Sequence, residues 1–216
     1  MAPRGRLLAL EGIDGCGKST QARALAAALG TRLTHEPGAT GLGSALRHLL
    51  LAPDAPAISL RAEALLMAAD RAEHVALVVE PALAAGEWVV SDRFSGSTLA
   101  YQGYGRGLDT AELRRVVDWA ASGVTADLSI LVDVPVEVAQ ARLGTTARDR
   151  LERLGPAFAG LVRDGFLALA AADPARWAVV DGTTDPAALT TRIVAIVHER
   201  MGQAPGEAPL SPRAAE

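Results

Sequence analysis

The chain has 216 residues, 50% of them hydrophobic and 21% charged, with a formal net charge of −4; this suffices for one well-buried core and, by length, one domain. It leaves no sequence-wide basic field for holding a DNA or RNA backbone, so no polymeric nucleic acid is expected as a partner. The lone cysteine, Cys16, excludes an intramolecular disulfide framework, and with neither an apolar leader nor a long uncharged apolar run the expectation is a cytoplasmic protein without a membrane partner.

The first predicted element is a strand over residues 6–11, uniformly apolar in Leu7-Leu8-Ala9-Leu10. Directly after it stands Gly12-Ile13-Asp14-Gly15-Cys16-Gly17-Lys18-Ser19, which fits G-x-x-x-x-G-K-[ST], and then an alanine-rich helix from Ser19 to Leu29 that stops at Gly30. A glycine-rich loop between buried strand and helix turns successive N–H groups toward an anion, and the helix start adds its positive dipole end. Lys18 is the only lysine; every other basic side chain in the Lys and Arg total is arginine. A compact ammonium reaches between two phosphate groups where a planar guanidinium fork does not.

Further strands are predicted near residues 31–35, 88–91, 128–133 and 177–181, with helical patterns between them, one starting near Ser59. The strands show little polar alternation, as when both faces are buried (Ser129-Ile130-Leu131-Val132). The fold class is therefore α/β, a five-stranded parallel sheet flanked by helices. Residues 1–202 read as one domain, and residues 203–216, proline-containing and aperiodic, as a disordered tail.

Ligands of open parallel sheets sit beyond the carboxyl ends of the strands. Acids follow all five predicted strands (Asp14, Glu36, Asp92, Asp133 and Asp181), which puts them at or beside the expected site. Phosphoryl transfer asks for a phosphate cradle, a Mg2+ site and cations near the moving group. Ser19 and Asp92 are the expected Mg2+ partners, Asp92 through water, and Arg93 suits a bidentate grip on a second phosphate. Met67, Arg71 and His74 share one helix face with Asp70 alongside. If that face is buried it needs an anion or an acid; the alternative is a solvated Arg–Asp face. Residues 142–153, dense in arginine, read as a closing lid or as an exposed charged turn. Cys16, beside Lys18 and the loop N–H groups, is expected to have a lowered pKa.

Taken together, these residues resemble the bacterial thymidylate kinases, which phosphorylate dTMP with ATP. The resemblance rests on Glu11 to Thr20, on His35-Glu36-Pro37-Gly38-Ala39-Thr40, on Asp149-Arg150-Leu151-Glu152 and, most specifically, on Ser91-Asp92-Arg93 through Tyr101-Gln102-Gly103. It implies that Gly12, Ile13, Asp14, Gly15, Cys16, Gly17, Lys18, Ser19 and Thr20 hold the ATP phosphates. Asp14 would face the 3'-hydroxyl of dTMP, Arg93 its phosphate, Arg71 and Thr98 the thymine edge and Tyr101 the sugar, with Met67, Ser97 and Gln102 also lining the acceptor pocket. Lys18, Asp14 and Arg93 would serve transfer together with Arg148 or Arg150 of the lid, since the loop itself has no basic residue among its variable positions. Mg2+ as cofactor and a homodimer are further implications. The chain departs from the family pattern at His35, Ala39 and Met67, where Arg, Gly and Phe are usual. A guanine-nucleotide switch would need a second lysine, and a nucleoside kinase would need no second phosphate clamp.

Overall fold

In the computed structural model, which describes residues 3–144, 149–205 and 207, β1 (Leu7–Glu11) is buried along its whole length and stands in the middle of a five-stranded, all-parallel sheet of order β2-β3-β1-β4-β5. The others are β2 (Arg32–His35), β3 (Val89–Asp92), β4 (Leu128–Asp133) and β5 (Trp177–Asp181), each within a residue of its predicted bounds. Both faces of β1 are covered. Leu7 and Ala9 join Val75, Val79, Ala82 and Leu83 on one side, while Leu8 and Leu10 pack in the larger cluster that holds Ala22, Leu25 and Leu29. Burying one such leucine stabilises the fold by roughly 1.5–3 kcal/mol, so an unbroken apolar run is what a central strand requires.

The helices are α1 (Lys18–Leu29), α2 (Gly41–Leu51), α3 (Leu60–His74), α4 (Glu80–Ala84), α5 (Ser95–Thr98), α6 (Thr110–Ala120), α7 (Val136–Leu143), α8 (Gly155–Ala172) and α9 (Pro186–Met201). Their ends follow from local chemistry. Gly30 closes α1 at φ 62°, Thr40 accepts from the Gly43 N–H to start α2, and Ser59 caps α3 as its sequence position suggests. Two segments wind more widely, as π-helix: Val75–Val79 and Leu99–Gly105. Wider turns of this kind cluster at functional sites, and the second carries Tyr101 and Gln102.

Helical residues Glu152–Ala172 form the one stretch among those described that is long and apolar enough to cross a bilayer. Within the fold Val162, Phe166 and Leu169 of this stretch are buried in the main core cluster, and Arg163 is tied to Asp133. Beyond residue 202, Ala204 is buried and Glu207 bonds His198; residue 206 and residues 208–216 lie outside the described residues. The register pairs Leu10 with Asp92 and Asp92 with His35, so the chain leaves β1, β3 and β2 side by side, at Gly12, Arg93 and Glu36.

Candidate active site

The loop after β1 needs its glycines. A Cβ on Gly12 (φ 143°) would fall 2.7 Å from the Val132 carbonyl oxygen and 2.8 Å from Cys16 Sγ, and one on Gly15 (φ 84°) 2.3 Å from the Ala139 carbonyl oxygen. Lys18 opens α1 just behind the loop, buried, and its Nζ donates to Asp14 Oδ1 at 3.0 Å and to the Ile13 carbonyl at 3.3 Å. Arg142 from α7 holds the loop from outside by donating to the Cys16 and Gly182 carbonyls.

Asp14 joins two halves of the site. Besides Lys18 it receives Arg93 Nη2 at 2.5 Å on the same oxygen, and Tyr101 Oη–H at 2.7 Å on the other. Burial alone would raise its pKa, but the Arg93 and Lys18 charges hold it well below the usual carboxylate range. Arg93 itself has φ 74°, a left-handed backbone that a non-glycine residue adopts at some cost. Its side chain is fixed by Asp14, Tyr101, the Gly12 carbonyl and Ser97 Oγ, and lies over the Tyr101 ring.

Asp14, Arg93, Ser97 and Tyr101 wall a cleft lined also by Pro37, Arg47, Met67, Asp70, Thr98, Gln102 and Leu151. Ser97, Thr98, Tyr101, Gln102 and Met67 thus come together with Arg93 and Asp14 as the sequence suggested. Arg71 stands behind this wall, 2% exposed. Its Nε and Nη2 donate to Glu36 Oε2 and its Nη1 to Thr98 Oγ1, so that three of its five N–H groups are engaged. His74 Nδ1 bonds the other Glu36 oxygen at 2.8 Å and its Nε2 meets Thr34 Oγ1 at 2.7 Å. The helix face of Met67, Arg71 and His74 is therefore buried against an acid, and the solvated alternative does not hold. Burial works against the Glu36 charge, yet Arg71 and His74 keep its pKa below the ordinary value.

Asp92 sits at the end of β3 with Oδ1 buried and without a hydrogen-bond partner. An orphaned carboxylate oxygen fits a cation supplied from outside the chain; the Ser19 hydroxyl is one residue beyond Lys18 in the first turn of α1. Among the described residues no group of three or more His, Cys, Asp or Glu forms a self-sufficient metal cage, and Mg2+ bound with a nucleotide needs none, because phosphates and waters fill most of its octahedron.

Three expectations change or narrow. Cys16 is buried, and desolvation pushes its thiol pKa up, outweighing Lys18, so it is not an activated thiolate. Asp133 and Asp181 lie beside the loop and do not line the cleft: the first, next to the Val132 carbonyl that backs Gly12, pairs with Arg163, and the second caps its own turn through Thr183. Arg150 is held by Glu63 Oε2 at 2.6 Å and by the Leu50 carbonyl at 2.7 Å; Arg148 and residues 145–147 lie outside the described residues. The Asp149–Glu152 turn is self-capped. Asp149 Oδ1 accepts from the Leu151 and Glu152 N–H groups and Glu152 returns the bond to the Asp149 N–H.

Comparison with known proteins agrees with this geometry. A thymidylate kinase family model matches residues 10–193. The chain belongs to the thymidylate kinase family. It is 46% identical over 207 residues to a thymidylate kinase of Synechococcus sp. (strain RCC307), covering 91% of this chain and 97% of that one. It is 45% identical over 202 residues to one of Cupriavidus necator, covering 90% and 98%. A crystal structure of thymidylate kinase from Ehrlichia chaffeensis superposes with a TM-score of 0.74 at 30% identity, over 90% of this chain and 99% of that one. The solved neighbour shares the P-loop kinase fold, and the chain is a nucleotide kinase of this family.

Sequence reasoning passed over Arg47, which lines the cleft from α2 and donates to the Pro37 carbonyl, the roles of the buried Glu11 and Glu63, and the pairing of Glu36, which it placed beside the site, with Arg71 and His74. Glu63 gathers Arg106, Arg150 and Gln102. An acid among apolar helical neighbours, as in Leu60-Arg61-Ala62-Glu63-Ala64-Leu65, is the one signal the sequence offered.

Proposed function

We propose that this site transfers the γ-phosphoryl group of ATP to the phosphate of dTMP, giving dTDP and ADP. The observation that carries the reading is Asp14, whose one carboxylate holds Lys18 of the phosphate loop and Arg93 of the acceptor cleft together. Donor and acceptor cations are thereby set a few ångströms apart, as in-line displacement requires. The Gly12 to Thr20 loop binds the ATP phosphates, with Lys18 exchanging Asp14 for the β- and γ-phosphates. Arg93, with Arg47 across the cleft, takes the dTMP phosphate. An oxygen of that phosphate is already ionised near neutral pH, so its bond to γ-phosphorus forms as the bridging oxygen leaves with ADP, and no general base is needed. Asp14, held anionic, orients cations and the acceptor 3'-hydroxyl.

The thymine lies against Met67, with Gln102, Ser97, Thr98 and Arg71 at its edge and the Tyr101 ring under the sugar. The Nη1 bond from Arg71 to Thr98, which lines the cleft, supports that placement. Ser19 and Asp92 would hold Mg2+, which when bound neutralises charge on the phosphates. A homodimer is supported by the exposed Leu60, Leu65 and Leu77 around α3, and a cytoplasmic setting by the unpaired Cys16. One domain with a lid over about residues 142–153 completes the reading.

A coupled assay offering ATP with dTMP, dUMP, dCMP, UMP and AMP in turn tests the assignment. dTMP is expected to give the highest kcat/KM, and equal turnover of AMP would overturn it. Of the two lid arginines, Arg148 carries the transition-state charge, because Arg150 is already committed to Glu63. Arg148→Ala is expected to lower kcat and kcat/KM together by about a hundredfold, and Arg150→Ala to change kcat by less than about threefold. The reverse pattern in steady-state kinetics assigns the role to Arg150.

A further inference from the structure

Glu11 ends β1, one residue before the phosphate loop, and is fully buried. It has no part in the scheme above, yet it joins the loop to the acceptor-side helix. Oε1 accepts the Phe94 N–H at 3.0 Å and the Ser97 N–H at 3.2 Å, which caps α5 from a different strand. Oε2 accepts the Ser97 hydroxyl at 2.6 Å, and Ser97 Oγ in turn accepts Arg93 Nη1 at 2.9 Å. Gly96 packs directly against this carboxylate, since a Cβ there would lie 2.8 Å from Oε1 and 2.7 Å from the Trp177 ring.

We propose that Glu11 is a positioning residue which, through Ser97, fixes the Arg93 guanidinium toward the acceptor phosphate, and that it must be ionised to do so. The proposal rests on the assignment of Arg93 to that phosphate. An ionised Glu11 accepts from Ser97, so the hydroxyl proton points to the carboxylate and an oxygen lone pair faces Arg93. A protonated Glu11 becomes a donor to the same hydroxyl and removes a negative charge that faces Arg93. The charged groups around it are Arg93 beyond β3 and Arg71 on α3, with Asp14 and Asp92 sharing the field of Arg93. Burial pushes the Glu11 pKa up to about 7, against the Ser97 bond and both arginines. Alignment is therefore complete above neutrality and lost as pH falls through that value.

The test measures kcat and KM for dTMP between about pH 6 and 9 in wild type, Glu11→Gln, Glu11→Asp, Ser97→Ala and the Glu11→Gln/Ser97→Ala pair. Gln keeps the acceptor oxygen and mimics the protonated acid, which separates Glu11 from the titration of dTMP itself. At pH about 8 Glu11→Gln is expected to lose about tenfold in kcat/KM for dTMP, with much of the acid-side fall in the pH profile gone. Glu11→Asp keeps that fall, and the double variant is no worse than Ser97→Ala alone. A Glu11→Gln enzyme with wild-type kcat/KM and profile, or losses that simply add in the double variant, overturns the proposal while leaving the dTMP reading intact. A wild-type enzyme that does not turn over dTMP removes both.

Discussion

Lys18→Met is expected to lower kcat by on the order of a hundredfold or more, the scale of one preorganised electrostatic donor lost from an active site. The effect is large because nothing else replaces that ammonium. Every other basic side chain among the Lys and Arg residues is a guanidinium, and Arg93, the cation nearest by its shared bond to Asp14, is engaged on the acceptor side. Methionine keeps length and packing, so Tm should stay close to wild type while turnover collapses. Steady-state kinetics at saturating ATP decide it, and half the wild-type rate in the variant would remove Lys18 from the transfer step.

Glu36→Ala should act on stability before activity. Breaking a buried ion pair by deleting one partner costs about 3–5 kcal/mol, because the surviving charge stays buried without compensation; here Arg71 is stranded and His74 loses its acceptor. For a chain of this size that is roughly 10 °C in Tm. Glu36→Gln, which retains an acceptor, should lose less. A thermal melt of the Ala variant within about 2 °C of wild type would contradict the packing described. The pH dependence has a fixed sign. The Glu36 pKa is depressed in the folded state, so its stabilisation is present above the ordinary value of 4.5 and is lost as pH falls below it. Glu11 runs the other way, its buried charge becoming a cost as pH rises from 4.5 toward 7.

The contrast between Lys18 and Glu36 also marks what was legible in the sequence. Strand ends could be read to within a residue because runs such as Leu7-Leu8-Ala9-Leu10 must be buried on both faces and are bounded by glycine or charge. The phosphate loop was legible because its spacing is itself the geometry. The pairings of Glu36, Glu63 and Glu11 were not, since each meets its partners 35 to 87 positions away in the chain, as in Glu36 with Arg71 and Glu63 with Arg150, and one-dimensional spacing carries no such pairing. The Cys16 pKa failed for a related reason. The sequence displays the neighbouring cation, but desolvation depends on Val132 and α7 closing over the loop, which only the fold supplies. The π-helical turn through Tyr101 has no periodic signature at all.

A lysine-specific endoprotease has a single place to cut in these 216 residues, the bond after Lys18. That bond lies in the first turn of α1, its side chain buried and its loop leading straight back into the middle strand of the sheet. Fraying helix ends and exposed turns elsewhere offer the enzyme nothing, so digestion proceeds only when the centre of the molecule opens. Each cut separates residues 1–18 from residues 19–216, taking β1 away from its neighbours and leaving two pieces easily resolved by mass. ATP seated on Lys18 would shield the same bond. The residue that makes the loop a phosphate cradle thus also turns the chain into its own single-site reporter of opening.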